Sequence, residues 1–209
     1  MSNLTRRALI AGIVGTVAVG PFFFYRSVYA HGKRFRAVIP GKVYRSGQLT
    51  AAGFADAVRG LHLRTVINVQ DDYPDPDLNR SYLDRRGVRE SDLCRELGVR
   101  YVFIAPDLVP RHELARRRPE AIDRLLAVLD DPNNLPALIH CRAGLHRTGV
   151  LSAVVRMEYQ GWSPAEAYRE LKGYGFGDFA CTAANDYVYE YVLTYRRGLR
   201  LRADDQGSK

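Results

Sequence analysis

Residues Leu135 to Tyr159 read LPALIHCRAGLHRTGVLSAVVRMEY. The run ALIH, Ala137 to His140, is apolar and short, as a buried strand is, and the apolar stretch from about Thr148 has the length of a helix. Between them lies the loop Cys141 to Arg147. Ligands of open α/β sheets bind at the carboxyl ends of strands, and helix N-termini offer unpaired N–H groups to anions. Five residues separate Cys141 from Arg147, enough to curl the backbone around a tetrahedral anion as a nest of amides. Gly144 admits the backbone angles such a curl requires. Arg147 can hold two oxygens with its planar fork, which lysine cannot copy.

The same positive field acts on sulfur. A thiol beside an arginine at a helix N-terminus is favoured as the thiolate, so Cys141 is expected to attack phosphorus and carry a covalent phosphocysteine. The loop residues Arg142, Ala143, Gly144, Leu145 and His146, together with Arg147, would stabilise charge on the phosphoryl oxygens. Thr148 is placed to donate its hydroxyl to the sulfur, and His140 to order the loop backbone. The side chains of Arg142 and His146 either border the pocket as extra cationic contacts or are solvated. Cys94 and Cys181 read as core or helix residues, and three cysteines are too few for a disulfide framework.

HCRAGLHRTG, His140 to Gly149, resembles the HCxxGxxR(S/T)G signature of the protein tyrosine and dual-specificity phosphatase superfamily. Upstream, VYRSGQLT (Val43 to Thr50) and TVINV (Thr65 to Val69) are similar to the atypical dual-specificity subgroup of plants, fungi and bacteria, although Leu49 stands where that subgroup often has proline. The resemblance covers about residues 40 to 175. It implies a metal-independent, cofactor-free enzyme acting on phosphate monoesters, with protein phosphotyrosine as the default substrate and phosphoinositides or inositol polyphosphates as the alternative. It also implies a general-acid loop. Asp107, in IAPDLVPRHE after the YVFI run and 34 residues before Cys141, is the candidate acid that protonates the leaving oxygen, with Asp71 and Asp72 as competitors. Two readings of other classes stay open: a phosphate-binding pseudophosphatase module, and a thiol-based sulfur transferase or arsenate reductase. The histidines are scattered, with no paired metal-ligand spacing.

Working outward, strands are expected at Val43 to Arg45, Thr65 to Val69, Tyr101 to Ile104 and Ala137 to His140. Helices are expected at Thr50 to Leu61, Ser91 to Leu97, Glu120 to Leu129, Gly149 to Gln160, Pro164 to Lys172 and Asn185 to Arg197. Ser163, Pro164 and Glu166 supply an N-cap, a first-position proline and a capping-box acid. The alternation predicts an α/β domain over 37–200, with a central, mostly parallel sheet of four to five strands flanked by helices. The polar tail 201–209 is expected to be disordered.

The first 30 residues stand apart. Ala8 to Tyr25 carries no charge over 18 residues, about the minimum for a membrane-spanning helix. Arg6 and Arg7 precede it, an order that resembles a twin-arginine export signal or a signal anchor; a buried core helix would not hold Gly12, Gly15, Gly20 and Pro21. Val28 and Ala30 allow cleavage before His31. An uncleaved single anchor is the main expectation, export the alternative. The net charge of +8 falls to +5 (28 minus 23) once Arg6, Arg7 and Arg26 are set aside, a modest excess that suits anionic partners. Nucleic acid is not expected, because the basic cluster Arg116 to Arg118 lacks interleaved aromatics.

Overall fold

The computed structural model describes residues 3–81, 84, 86–105, 118–178 and 189–198. Five strands form one sheet: β1 (Arg36–Ile39), β2 (Val43–Ser46), β3 (Thr65–Asn68), β4 (Arg100–Phe103) and β5 (Ala137–His140), in the order β1-β2-β5-β3-β4. Neighbours pair in parallel except β1, which runs antiparallel to β2 at the edge. The sheet is therefore the expected mostly parallel one. Its antiparallel edge strand, RAVI, was not among the expected strands, being four residues long and opened by an arginine.

Every residue of β3 and of β5 is buried, as strands covered on both faces must be. Side chains alternate between two cores. Val66 and Leu138 pack with Phe54 and Leu93 on the side of helices α2 (Ala51–Leu61) and α3 (Glu90–Glu96). Ile67 and Ile139 face the opposite way, toward helices α4 (Glu120–Asp130), α5 (Arg147–Gln160), α6 (Pro164–Gly173) and α7 (Glu190–Thr194). Each such buried aliphatic contributes about 1.5–3 kcal/mol, so the central strands are the most strongly held part of the molecule.

Registers bring the strand ends level. Ser46 and Asn68 both pair with His140, and Phe103 pairs with Asn68, so loops after β2, β3, β4 and β5 leave from one edge. The helix starts follow local chemistry. Thr50 caps α2 by accepting from Gly53 N at 3.2 Å. Ser163 and Glu166 close the predicted capping box, with Ser163 N donating to Glu166 Oε2 at 2.8 Å. Helix α5 begins at Arg147, two residues before the expected Gly149. Of the helix expected over Asn185 to Arg197, α7 is the described part.

The apolar run forms helix α1 (Asn3–Phe24), continued by wider π-type turns over Tyr25–Ala30. By length and composition alone the span Thr5–Ala30 suffices to cross a bilayer. Its side chains include exposed Leu9, Ile13, Val14 and Val17. The residues that follow dock on the domain. Ala30 is buried, His31 Nε2 lies 3.0 Å from Asp56 Oδ2, and a Cβ at Gly53 would meet the His31 carbonyl at 2.1 Å.

Candidate active site

Strand β5 ends at His140, and the chain then folds into the loop that α5 closes at Arg147. Gly144 takes φ +72°, a left-handed angle costly to residues with a Cβ, and a Cβ there would lie 2.5 Å from Gly47 N. That close approach lets the amide of Gly144 turn inward and donate to Cys141 Sγ at 3.2 Å. Cys141 is buried, as are Gly144 and Leu145. The α5 amides follow directly, and Val150 is the first to bond back, to the His146 carbonyl at 2.8 Å. Arg147 is half-buried, and its guanidinium has no hydrogen-bond or ion-pair partner among the described residues. Thr148 Oγ1 and Ser46 Oγ are buried without a partner there.

The loop is held from outside by side chains that the sequence reading did not single out. Arg45 donates from beneath to the Gly144 carbonyl at 2.8 Å. Burial lowers its pKa to about 10, against the opposing pull of Glu170, so it remains a cation at neutral pH. Arg34 donates to the Ala143 carbonyl at 2.9 Å. Gln48 N donates to the Arg142 carbonyl at 3.2 Å. On the far side, Glu90 accepts from Gln48 Nε2 at 3.2 Å and meets His140 Nε2 at 2.7 Å, while Gln70 donates to Gln48. His140, Glu90 and Gln48 are all buried, so the loop root rests on a hydrogen-bonded polar chain, although His140 Nδ1 and Gln70 Oε1 are buried without a partner among the described residues. Arg45 and Gln48 stand in the YRSGQ segment, where the resemblance was their signal; Glu90 and Gln70 carried none.

The remaining expectations divide. The Arg142 guanidinium is exposed and ion-paired with Asp75, rather than simply solvated. The His146 ring packs edge-on against Phe176, with centroids 5.3 Å apart. Asp72 accepts from the Ser91 hydroxyl at 3.3 Å and stands 3.9 Å from Arg89; Asp71 is exposed. Cys94 is buried, and burial, with Glu90 and Asp72 nearby, pushes its thiol well up, which disfavours thiolate chemistry. Asp107, Cys181, Arg116 and Arg117 lie outside the described residues. Among the described residues no three His, Cys, Asp or Glu side chains are grouped to hold a metal.

The Cys141 thiol thus accepts from the Gly144 amide, at the head of a helix and at the carboxyl edge of the parallel strands, where an anion and a nucleophile can meet. The profile of the Tyrosine phosphatase family matches residues 30–205, and the chain belongs to that family. The match extends beyond the stretch of about 40 to 175 over which the resemblance was read from the sequence. The chain is 44% identical over 137 residues to the dual specificity protein phosphatase TpbA of Pseudomonas aeruginosa, covering 65% of this chain and 52% of TpbA. It is 27% identical over 139 residues to the inositol diphosphatase SIW14 of Saccharomyces cerevisiae, covering 66% of this chain and 44% of SIW14. With the tyrosine-protein phosphatase-like protein OCA2 of the same yeast it shares 23% over 163 residues, 76% of this chain and 71% of OCA2. The match thus spans about half the length of TpbA and SIW14. The crystal structure of the SIW14 core catalytic domain shares the fold, with a TM-score of 0.56 at 22% identity over 78% of this chain and 85% of that one.

Proposed function

We propose that this chain hydrolyses phosphate monoesters through a phosphocysteine on Cys141. The observation that carries the reading is the Gly144 amide directed at Cys141 Sγ over 3.2 Å, in a loop closed by a guanidinium with no partner among the described residues. Amides aimed at the sulfur stabilise a thiolate and, once phosphate is bound, the equatorial oxygens. In the first step the thiolate attacks phosphorus, the ester P–O bond breaks, and the leaving oxygen takes a proton from a carboxylic acid. In the second, water attacks phosphorus as the carboxylate takes back a proton from it, the S–P bond breaks, and phosphate leaves with the thiolate and the acid restored. Thr148 donates to the departing sulfur. Asp107 remains the proposed acid, with Asp71 as its competitor, since Asp72 is engaged by Ser91 and Arg89.

The substrate reading is protein phosphotyrosine, with dual specificity, supported by the higher identity to TpbA. Inositol phosphates are the second reading, favoured by the cations Lys33, Arg34 and Arg142 around the loop. We place the chain at a membrane through Thr5–Ala30, with export as the alternative. A panel of phosphotyrosine peptide, inositol phosphates and a generic aryl phosphate tests these readings together. Aryl phosphate turnover that disappears in Cys141→Ser is the expected result. Phosphate binding without turnover by the unaltered chain would leave a binding module instead.

A further inference from the structure

Lys33 sits between the apolar helix and β1 and has no part in the chemistry above, yet it is built into the wall of the loop. Its carbonyl accepts from Gly47 N at 2.8 Å. A Cβ at Gly47 would fall 2.8 Å from Lys33 Cδ, 2.9 Å from Lys33 Cγ and 3.1 Å from the Ala143 carbonyl, so lysine stem and loop both crowd this one glycine. The next residue, Arg34, bonds that same Ala143 carbonyl. Lys33 is half-buried, and among the described residues its ammonium makes no hydrogen bond or ion pair. Burial lowers its pKa, and Arg142 and Arg34 act in the same direction; Asp77 and the Cys141 sulfur oppose them.

This is an unusual place to keep a lysine. A partly buried ammonium beside two guanidiniums is costly unless an anion joins it. Of the three cations, Arg142 is answered by the Asp75 carboxylate. The phosphate being transferred has its own cage in the loop amides and Arg147. The charge at Lys33 is additional to that cage, and it interacts electrostatically with the Cys141 sulfur.

We infer that Lys33 is a substrate-binding residue for a second anionic group, a phosphate or carboxylate carried next to the phosphoryl group that is transferred. The inference rests on the loop being the phosphate site, as proposed above, and deepens the second substrate reading given there: the preferred substrate is a polyanion. Dissociation constants of inorganic phosphate and inorganic tripolyphosphate, measured by calorimetry on the full chain in detergent, test it. The unaltered chain is expected to bind tripolyphosphate more tightly, and Lys33→Met and Lys33→Gln to lower that preference about tenfold, the worth of one charge-assisted hydrogen bond. Lys33→Arg, which keeps the charge, is expected to retain most of it. A preference unchanged in Met or Gln overturns the inference. So does an equal loss for both anions, which would put Lys33 on the transferred phosphate or in support of the loop. Hydrolysis of an aryl phosphate by the unaltered chain is scored separately, so a failure of the phosphatase reading is not mistaken for a failure of this one.

Discussion

The Glu90 carboxylate and the His140 imidazole, fifty residues apart in sequence, meet at 2.7 Å with both side chains buried. The contact ties the first turn of α3 to the last residue before the nucleophile. Glu90 leans on Gln48, and Gln48 on Gln70, so three of the loops leaving the sheet edge share one polar chain.

Removing Glu90 should therefore be expensive. Taking away one partner of a buried pair leaves the other uncompensated, and Glu90→Ala is expected to destabilise the fold by about 3–5 kcal/mol in denaturant titrations. Glu90→Gln keeps the shape and a hydrogen bond, and should cost less. Equal stability of Glu90→Ala and the unaltered chain would show that the pair supports nothing.

Gly144→Ala places a Cβ 2.5 Å from Gly47 N at a left-handed angle. The loop must open, and displacing reacting groups by about 1 Å costs roughly 10² in rate. A drop of that size in kcat/KM for an aryl phosphate is expected, with the denaturation midpoint falling far less than in Glu90→Ala.

Cys141→Ser should abolish hydrolysis and keep phosphate affinity. Asp107→Asn should lower turnover of a poor leaving group by about 10² to 10⁴, and barely affect an activated aryl ester that departs unprotonated. If both esters slow alike, Asp107 is not the acid.

Arg45→Met removes the donor to the Gly144 carbonyl. Leaving that carbonyl unpaired should cost about 1–3 kcal/mol, read as weaker phosphate binding and a lower denaturation midpoint together. A change in neither would mean the loop holds its shape unaided.

Alkaline pH offers a separate check on Lys33. Its pKa is lowered from the ordinary 10.5 by burial, then by Arg142 and Arg34. The ammonium is fully present below that lowered value and is lost as pH rises through it. The extra affinity for tripolyphosphate should accordingly fade at a lower pH than an exposed lysine would dictate, and Lys33→Arg should show no such fade. Identical profiles for the two proteins would contradict the assignment.

Much of this architecture is legible in the sequence because it depends on local pattern. ALIH and TVINV carry consecutive apolar residues, Leu138 with Ile139 and Val66 with Ile67, the mark of strands covered on both faces, and Ser163 with Glu166 announces a helix start. The nucleophile and its arginine could be read because their spacing is fixed by the anion they enclose. What could not be read is what reaches the loop from a distance. Arg45 lies 99 residues from Gly144 and Arg34 lies 109 from Ala143; the resemblance marks the segment that holds Arg45 without giving it that role, and nothing around Arg34 marks it at all. Glu90 precedes the helix start expected at Ser91 and carries no motif of its own. Strand β1 escaped notice because an edge strand buries only one side, and RAVI has too few apolar positions to alternate visibly.

The docking of residues 31–35 on the domain bears on how a form of this protein without the apolar helix has to be cut. A boundary drawn at residue 37, where the regular α/β pattern begins, would discard the carbonyl that receives Gly47 N and the guanidinium that steadies Ala143. The excised piece would fold around its sheet and yet present a slackened phosphate cradle. Trimming has to stop before His31.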